Sequence, residues 1–181
     1  MSSTMTSAKN MAISAGIAVL VIAAGVGAFL LLNSPEETGR VTIFVKNAPD
    51  DWSHINVTFS EVRIHQANAS NGTGWRSLKI MNGTVDLTDL VNVSALLAAG
   101  NVSAGKYTQI RIVVINVTGE MTDGTKVNFT VPSGELKTTH PFNVVAGHTV
   151  SLTLDIDLSR SIVHNANGWK FTPVLGPIVQ N

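Results

Sequence analysis

Val150-Ser151-Leu152-Thr153-Leu154-Asp155-Ile156-Asp157-Leu158 alternates apolar and polar side chains without a break. A period of two gives an extended strand one buried and one wet face. The same period recurs where Val41, Ile43 and Val45 alternate with Thr42, Phe44 and Lys46, and again at Val127, Phe129 and Val131. Between them, Ile55, Val57 and Phe59 share one parity while Val62 and Ile64 share the other. One strand cannot keep both sets inside without an extra residue, which predicts a β-bulge or strand break near Ser60-Glu61. Tyr107 to Val117 is apolar at both parities and reads as a central strand covered on both sides. Turn signals separate these runs: Ala69-Ser70-Asn71-Gly72, Asp123-Gly124, Ser133-Gly134, Ala146-Gly147 and Asn167-Gly168. Only Asp89 to Ala99 (DLVNVSALLAA) looks helical. Many short strands with regular turns predict an all-β fold, an antiparallel, Greek-key-like β-sandwich over residues 40–181.

Ahead of this domain the pattern changes. Met11 to Leu32 (MAISAGIAVLVIAAGVGAFLLL) holds no charge. As a helix this run would span about 33 Å, enough for a hydrocarbon core of about 30 Å. Residues 11–32 therefore read as a transmembrane helix in the lipid bilayer, with 1–10 as a cytoplasmic tail and 33–39 as a linker. A cleaved secretory signal is the competing reading, but its apolar region usually runs only about 7–15 residues. Lys9 precedes the run while Glu36, Glu37 and Arg40 follow it, so the positive-inside rule puts residues after Asn33 outside the cell. Asn33-Ser34-Pro35 ends the helix, because proline cannot continue one. Small residues four apart, at Ala12/Gly16, Ala23/Gly27 and Ala24/Ala28, are compatible with helix pairing and self-association.

Composition narrows the classes further. Lys plus Arg equals Asp plus Glu at 12 each among 181 residues, so no positive surplus is present to hold nucleic acid. Cysteine is absent, which removes disulfides, thiolate nucleophiles and cysteine-based metal sites. Charged residues are only 13% of the chain, about half the usual share. Something else must keep the domain hydrated. Eight Asn-x-Ser/Thr sequons supply a candidate: Asn56, Asn68, Asn71, Asn82, Asn92, Asn101, Asn116 and Asn128. Fifteen asparagines in a chain with roughly 18% Ser plus Thr would give about three by chance. The expectation is that N-linked glycans replace surface charge. Asn128 has the opposite parity to Val127 and Phe129 and should face water. Asn116 shares parity with Ile112 and Val114, which counts against its modification.

Several segments, in order, resemble an uncharacterised family: VTFSEVRIH (Val57 to His65), VDLTDL (Val85 to Leu90), LLAAGNVSAGKYTQIRIVV (Leu96 to Val114), VPSGELK (Val131 to Lys137), LTLDIDLSRSIV (Leu152 to Val163) and FTPVL (Phe171 to Leu175). The chain is similar to the family numbered four-three-eight-two among the domains of unknown function. The resemblance implies a β-sandwich export domain of archaeal and bacterial surface proteins, often lipid- or membrane-anchored, and brings no catalytic residues. Without cysteine this chain has no lipobox, and the apolar segment takes that role. Dense sequons and no cysteine suggest an archaeal source.

No residues are assigned to catalysis, to a cofactor or to a metal. His54, His65, His140, His148 and His164 lack the close spacing of a zinc or copper site. Asp155 and Asp157 sit two apart on a strand face and could bind Ca²⁺ or act as acid and base, but also suit the wet side of an amphipathic strand. Trp52, Trp75 and Trp169 suit core or rim packing better than a sugar-stacking site. The expected function is that of a non-catalytic, glycosylated, membrane-anchored surface protein with a structural or binding role. A pilin-like filament subunit, an outward-facing accessory subunit of a membrane enzyme complex and a metal-binding module are the other readings.

Overall fold

The computed structural model describes residues 37–47, 52–69 and 73–181. The expected helix 11–32, the tail 1–10 and the sequon at Asn71 lie outside the described residues. Among the described residues no helix is long and apolar enough to cross a membrane.

Among the described residues twelve strands carry the domain: β1 (Thr38–Asn47), β2 (Trp52–Gln66), β3 (Trp75–Ile80), β4 (Thr84–Asp86), β5 (Ala95–Ser103), β6 (Gly105–Met121), β7 (Lys126–Asn128), β8 (Glu135–Val144), β9 (Thr149–Ile156), β10 (Ile162–Asn165), β11 (Gly168–Phe171) and β12 (Leu175–Gln180). Ten form one curled sheet in the order β12-β9-β1-β5-β3-β2-β6-β7, with β4 added on β2 and β8 on β6, while β10 and β11 make a separate hairpin. The strand β3 joins the two halves. Its residues Trp75 to Leu78 pair with β2, and Lys79 and Ile80 pair with β5.

The alternating runs bury the residues their parity selects. Val150, Leu152, Leu154 and Ile156 of β9 point inward, as do Val41, Ile43 and Val45 of β1. They meet Ile55, Val57, Ile64, Ile110, Ile112 and Leu136 from the other half in one apolar cluster. Each fully buried Leu or Ile contributes roughly 1.5–3 kcal/mol against exposure. Tyr107 is fully buried, yet its hydroxyl is satisfied by donating to the Ser103 carbonyl at 2.9 Å. Gly39 is fixed by close approach: an added Cβ would fall onto the carbonyl oxygen of Val145 and the side chain of Val144, where β1 passes the end of β8.

The bulge expected near Ser60-Glu61 is present. Phe59 stands opposite Val114 and Glu61 opposite Val113, leaving Ser60 without a partner on β6. Four other expectations are corrected. First, Asp89–Ala99 is not a helix. A 3₁₀ turn covers Thr88–Leu90 and the chain then enters β5 at Ala95. The alanines favour a helix locally, but β5 is bonded by β1 and β3 on its two edges, and that pairing outweighs propensity. Second, β6 is central in its half but is not covered on both faces: Ile115 is 61% exposed. Third, Asn116 faces solvent. Thr58 pairs with Asn116 and Phe59 with Val114, so Ile115 is itself a bulge, and the parity of β6 reverses after it. Fourth, the sheet is not purely antiparallel, because β1 runs parallel to β9 from Arg40↔Thr149 to Asn47↔Ile156. The two strands are separated by about a hundred residues, so no hairpin constrains their direction.

Candidate functional site

The outward face of β2, β6 and β7 is built of two polar rungs. His54 stands opposite Glu120, which stands opposite Lys126. On the next rung Asn56 stands opposite Thr118, which stands opposite Asn128. Side chains directly across a pair share a face, because the pleat repeats every two residues. Gly119 and Val127 form the floor between the rungs, and the cavity they define has a volume of about 420 Å³. Beneath the floor, Trp52 packs on Phe129 at 5.3 Å and edge-on to Trp169 at 5.1 Å.

One wall of this groove is electrostatically fixed. His54 Nδ1 lies 2.6 Å from Asp86 Oδ2. That hydrogen bond, and then the carboxylate charge, raises the imidazole pKa above its ordinary value. Partial burial pushes Asp86 upward, but hydrogen bonds from the Thr88 hydroxyl, His54 and the amides of Ile55 and Thr88 outweigh it and hold Asp86 below the usual carboxylate value.

Of the sequon asparagines, Asn68, Asn82, Asn92, Asn101, Asn116 and Asn128 are exposed, and Asn56 is half-buried. Asn68 and Asn92 take left-handed conformations, with φ of 61° and 64°. Asn82 is exposed, yet its Nδ2 donates to the Leu96 carbonyl at 2.7 Å. The structure thus brings Asn56, Asn116 and Asn128 onto one face and scatters the other described sequons over loops and β5.

A second cluster lies further along the outer face, on β3, β2, β6 and β8. Arg63 stands opposite Arg111, which stands opposite Lys137. Glu135 receives all three: Lys137 Nζ at 2.8 Å, Arg111 Nη1 at 3.3 Å and Arg63 Nη2 at 3.5 Å. The Lys137 hydrogen bond and then the arginine charges overcome partial burial and hold Glu135 below the usual range. Arg63 Nε also sits 3.2 Å from Glu61. The Arg111 guanidinium lies 4.2 Å from the centre of the Trp75 ring, in cation–π range. Trp75 is edge-on to His65 at 4.8 Å. This network, like the His54–Asp86 pair, went unseen in the sequence. Arg63 and Arg111 lie on the wet parity of their strands, but pairing of two arginines across a ladder follows only from register.

The remaining candidates take separate structural roles. Asp155 is paired with Lys46 at 2.9 Å. Asp157 caps the helical turn Leu158–Ser161, accepting from the Arg160 amide at 3.1 Å and the Ser159 hydroxyl at 2.7 Å. The two carboxylates do not form a shared site. His164 stacks on Trp169 at 4.2 Å, and His148 contacts the Ala146 carbonyl at 2.9 Å. Among the described residues no group of three or more His, Cys, Asp or Glu could hold a metal ion.

A family model described as "domain of unknown function (DUF4382)" matches residues 38–173, from the first strand to just before β12. The chain belongs to this family. The DUF4382 match covers both outer-face clusters and every described sequon. Comparison with curated proteins gives no match. Among solved structures, the DUF4382 domain is similar to a Bacteroides fragilis chain named "putative cell adhesion protein". Identity is 14%, the TM-score is 0.35, and the likeness covers 80% of this chain and 45% of that one.

Proposed function

We propose that this protein is an archaeal, membrane-anchored, N-glycosylated member of its family, with its β domain outside the cell and a non-catalytic structural or binding role. The curled sheet, with one apolar core between its two halves, is read as a Greek-key-like β-sandwich. The observation that carries the proposal is the exposure of six of the seven described sequon asparagines. Glycans at these positions would hydrate a surface with few charges. The uncharged run 11–32 supports the anchor, and its flanking charges support the orientation.

Intact-mass and glycopeptide analysis of protein extracted from native membranes tests the proposal. The expected result is an intact apolar segment with glycans on at least half of the eight sequons. Bare asparagine at all eight, or a mature N-terminus near residues 26–30, would overturn it.

A further inference from the structure

The three sequons on the β2–β6–β7 face are locked together by register. Asn56-Val57-Thr58 runs antiparallel to Asn116-Val117-Thr118, so Asn56 faces Thr118 and Thr58 faces Asn116. Asn128 faces Thr118 from the other side. Directly opposed residues have Cβ atoms about 5 Å apart and diagonal ones about 7–8 Å apart. Asn56 and Asn128 flank Thr118, about 10 Å apart at the usual strand spacing. Asn56 is the most enclosed of the three. Asp86 of β4 stands opposite it on one side and Thr118 on the other, and its side chain is half-buried. A glycan on that amide would have a strand on either side of it, whereas Asn128 lies on β7, at the end of the strand order, with Thr118 on one side only. Asn128 is exposed on the three-residue strand β7 and opens onto the groove from its rim.

The groove itself has the chemistry of a saccharide subsite. Hydroxyl groups need donors and acceptors at close spacing, and the walls supply the His54 imidazole, the Glu120 carboxylate, the Lys126 ammonium and the amides of Asn56 and Asn128. A volume of about 420 Å³ accommodates a sugar ring with its substituents. We propose that Asn56 stays bare and serves as a wall of this groove, while Asn128 carries a glycan whose first sugar lies in the groove against His54, Asn56 and Glu120. The proposal rests on the reading that the protein is N-glycosylated. It turns one sequon from an attachment point into part of a binding site and makes the Asn128 glycan a packed element of the fold.

The test uses the full chain from its native host, with Thr130→Ala to abolish the Asn128 sequon and Ser94→Ala to abolish the Asn92 sequon, which does not line the groove. Both variants leave the asparagine in place. Asn128→Gln repeats the first removal by a different route. The expected result is an unmodified Asn56 peptide, an occupied Asn128 peptide, and a Tm about 2–4 °C lower in T130A and N128Q than in S94A, the size of one or two hydrogen bonds in a domain of this length. Glu120→Gln should shrink that difference. A glycan on Asn56, a bare Asn128 beside other occupied sequons, or equal Tm values would overturn the proposal. Eight bare sequons would instead overturn the glycosylation reading on which it rests.

Discussion

Replacing Glu135 with glutamine keeps the shape of the side chain and removes the charge that holds Lys137, Arg111 and Arg63 together. The cost can be assembled from the parts. Lys137 is 59% exposed, so its pair contributes only a few tenths of a kcal/mol. Arg63 and Arg111 are each 29% exposed, and their two long bonds to the carboxylate, at 3.5 and 3.3 Å, are together worth about 1 kcal/mol after partial screening. Loss of the carboxylate also leaves two like charges directly opposed on neighbouring strands, a cost of about 0.2–1 kcal/mol. The sum is about 1–2 kcal/mol, or roughly 3–6 °C in Tm. Because the folded pKa of Glu135 is lowered, its contribution is present above the ordinary glutamate pKa and fades as pH falls through the folded value. Urea unfolding of purified wild type and E135Q, followed by tryptophan fluorescence, checks the value; Trp75 reports directly through its contact with Arg111. At pH 7 and low salt the variant should lose about 1–2 kcal/mol. In 1 M salt, where the Debye length is about 3 Å, at least half of the gap should close. A loss below about 0.3 kcal/mol, or one unchanged in 1 M salt and at acid pH, would refute the reasoning.

Two further substitutions probe other parts of the domain. The His54 imidazole should titrate above the ordinary histidine value by NMR, and Asp86→Asn should return it toward normal; an identical titration in D86N would show that the 2.6 Å contact does not persist in solution. The contribution of this pair is fully present below the ordinary histidine pKa and is lost as pH rises through the raised one. Gly119→Ala would bring a Cβ to 2.9 Å from the side chains of Ile55, Phe129 and Trp52. Such overpacking should cost about 1–3 kcal/mol in denaturant unfolding, and a neutral result would mean that the aromatic cluster has room to move.

How much of this was legible depends on whether a feature is local. The strands β1 and β9 were plain, because each keeps one parity throughout. The bulge at Ser60 was legible because β2 carries enough apolar residues on each side of it to show the change of phase. The second bulge, at Ile115, was hidden because Val113, Ile115 and Val117 continue an apolar series straight through it. That concealment is what turned Asn116 inward in the sequence reading and outward in the structure. Ala95–Ser103 failed for a different reason. Its alanines carry a helical preference, while its strand character comes from partners on β1 and β3 that lie far away in sequence. Apart from the pairs Glu135–Lys137 and Glu61–Arg63, each two residues apart on one strand, the outer-face clusters are non-local. Nothing near Asn56 signals Thr118 or Asn128, and nothing near Glu135 signals Arg63.

The parallel pairing of β1 has a mechanical consequence. The chain enters the described domain at a strand held on both edges, by β5 from Thr38↔Ser103 onward and by β9 from Arg40↔Thr149 to Asn47↔Ile156. A pull on Thr38 along the strand axis loads both ladders in shear, so many rungs must yield together rather than one at a time. Resistance to force is set by the rate of that cooperative rupture and not by the equilibrium stability of the domain. The strand β12, by contrast, has a single bonded neighbour and a register break between Leu175 and Ile178, so a pull that peels it away loads one short ladder rung by rung.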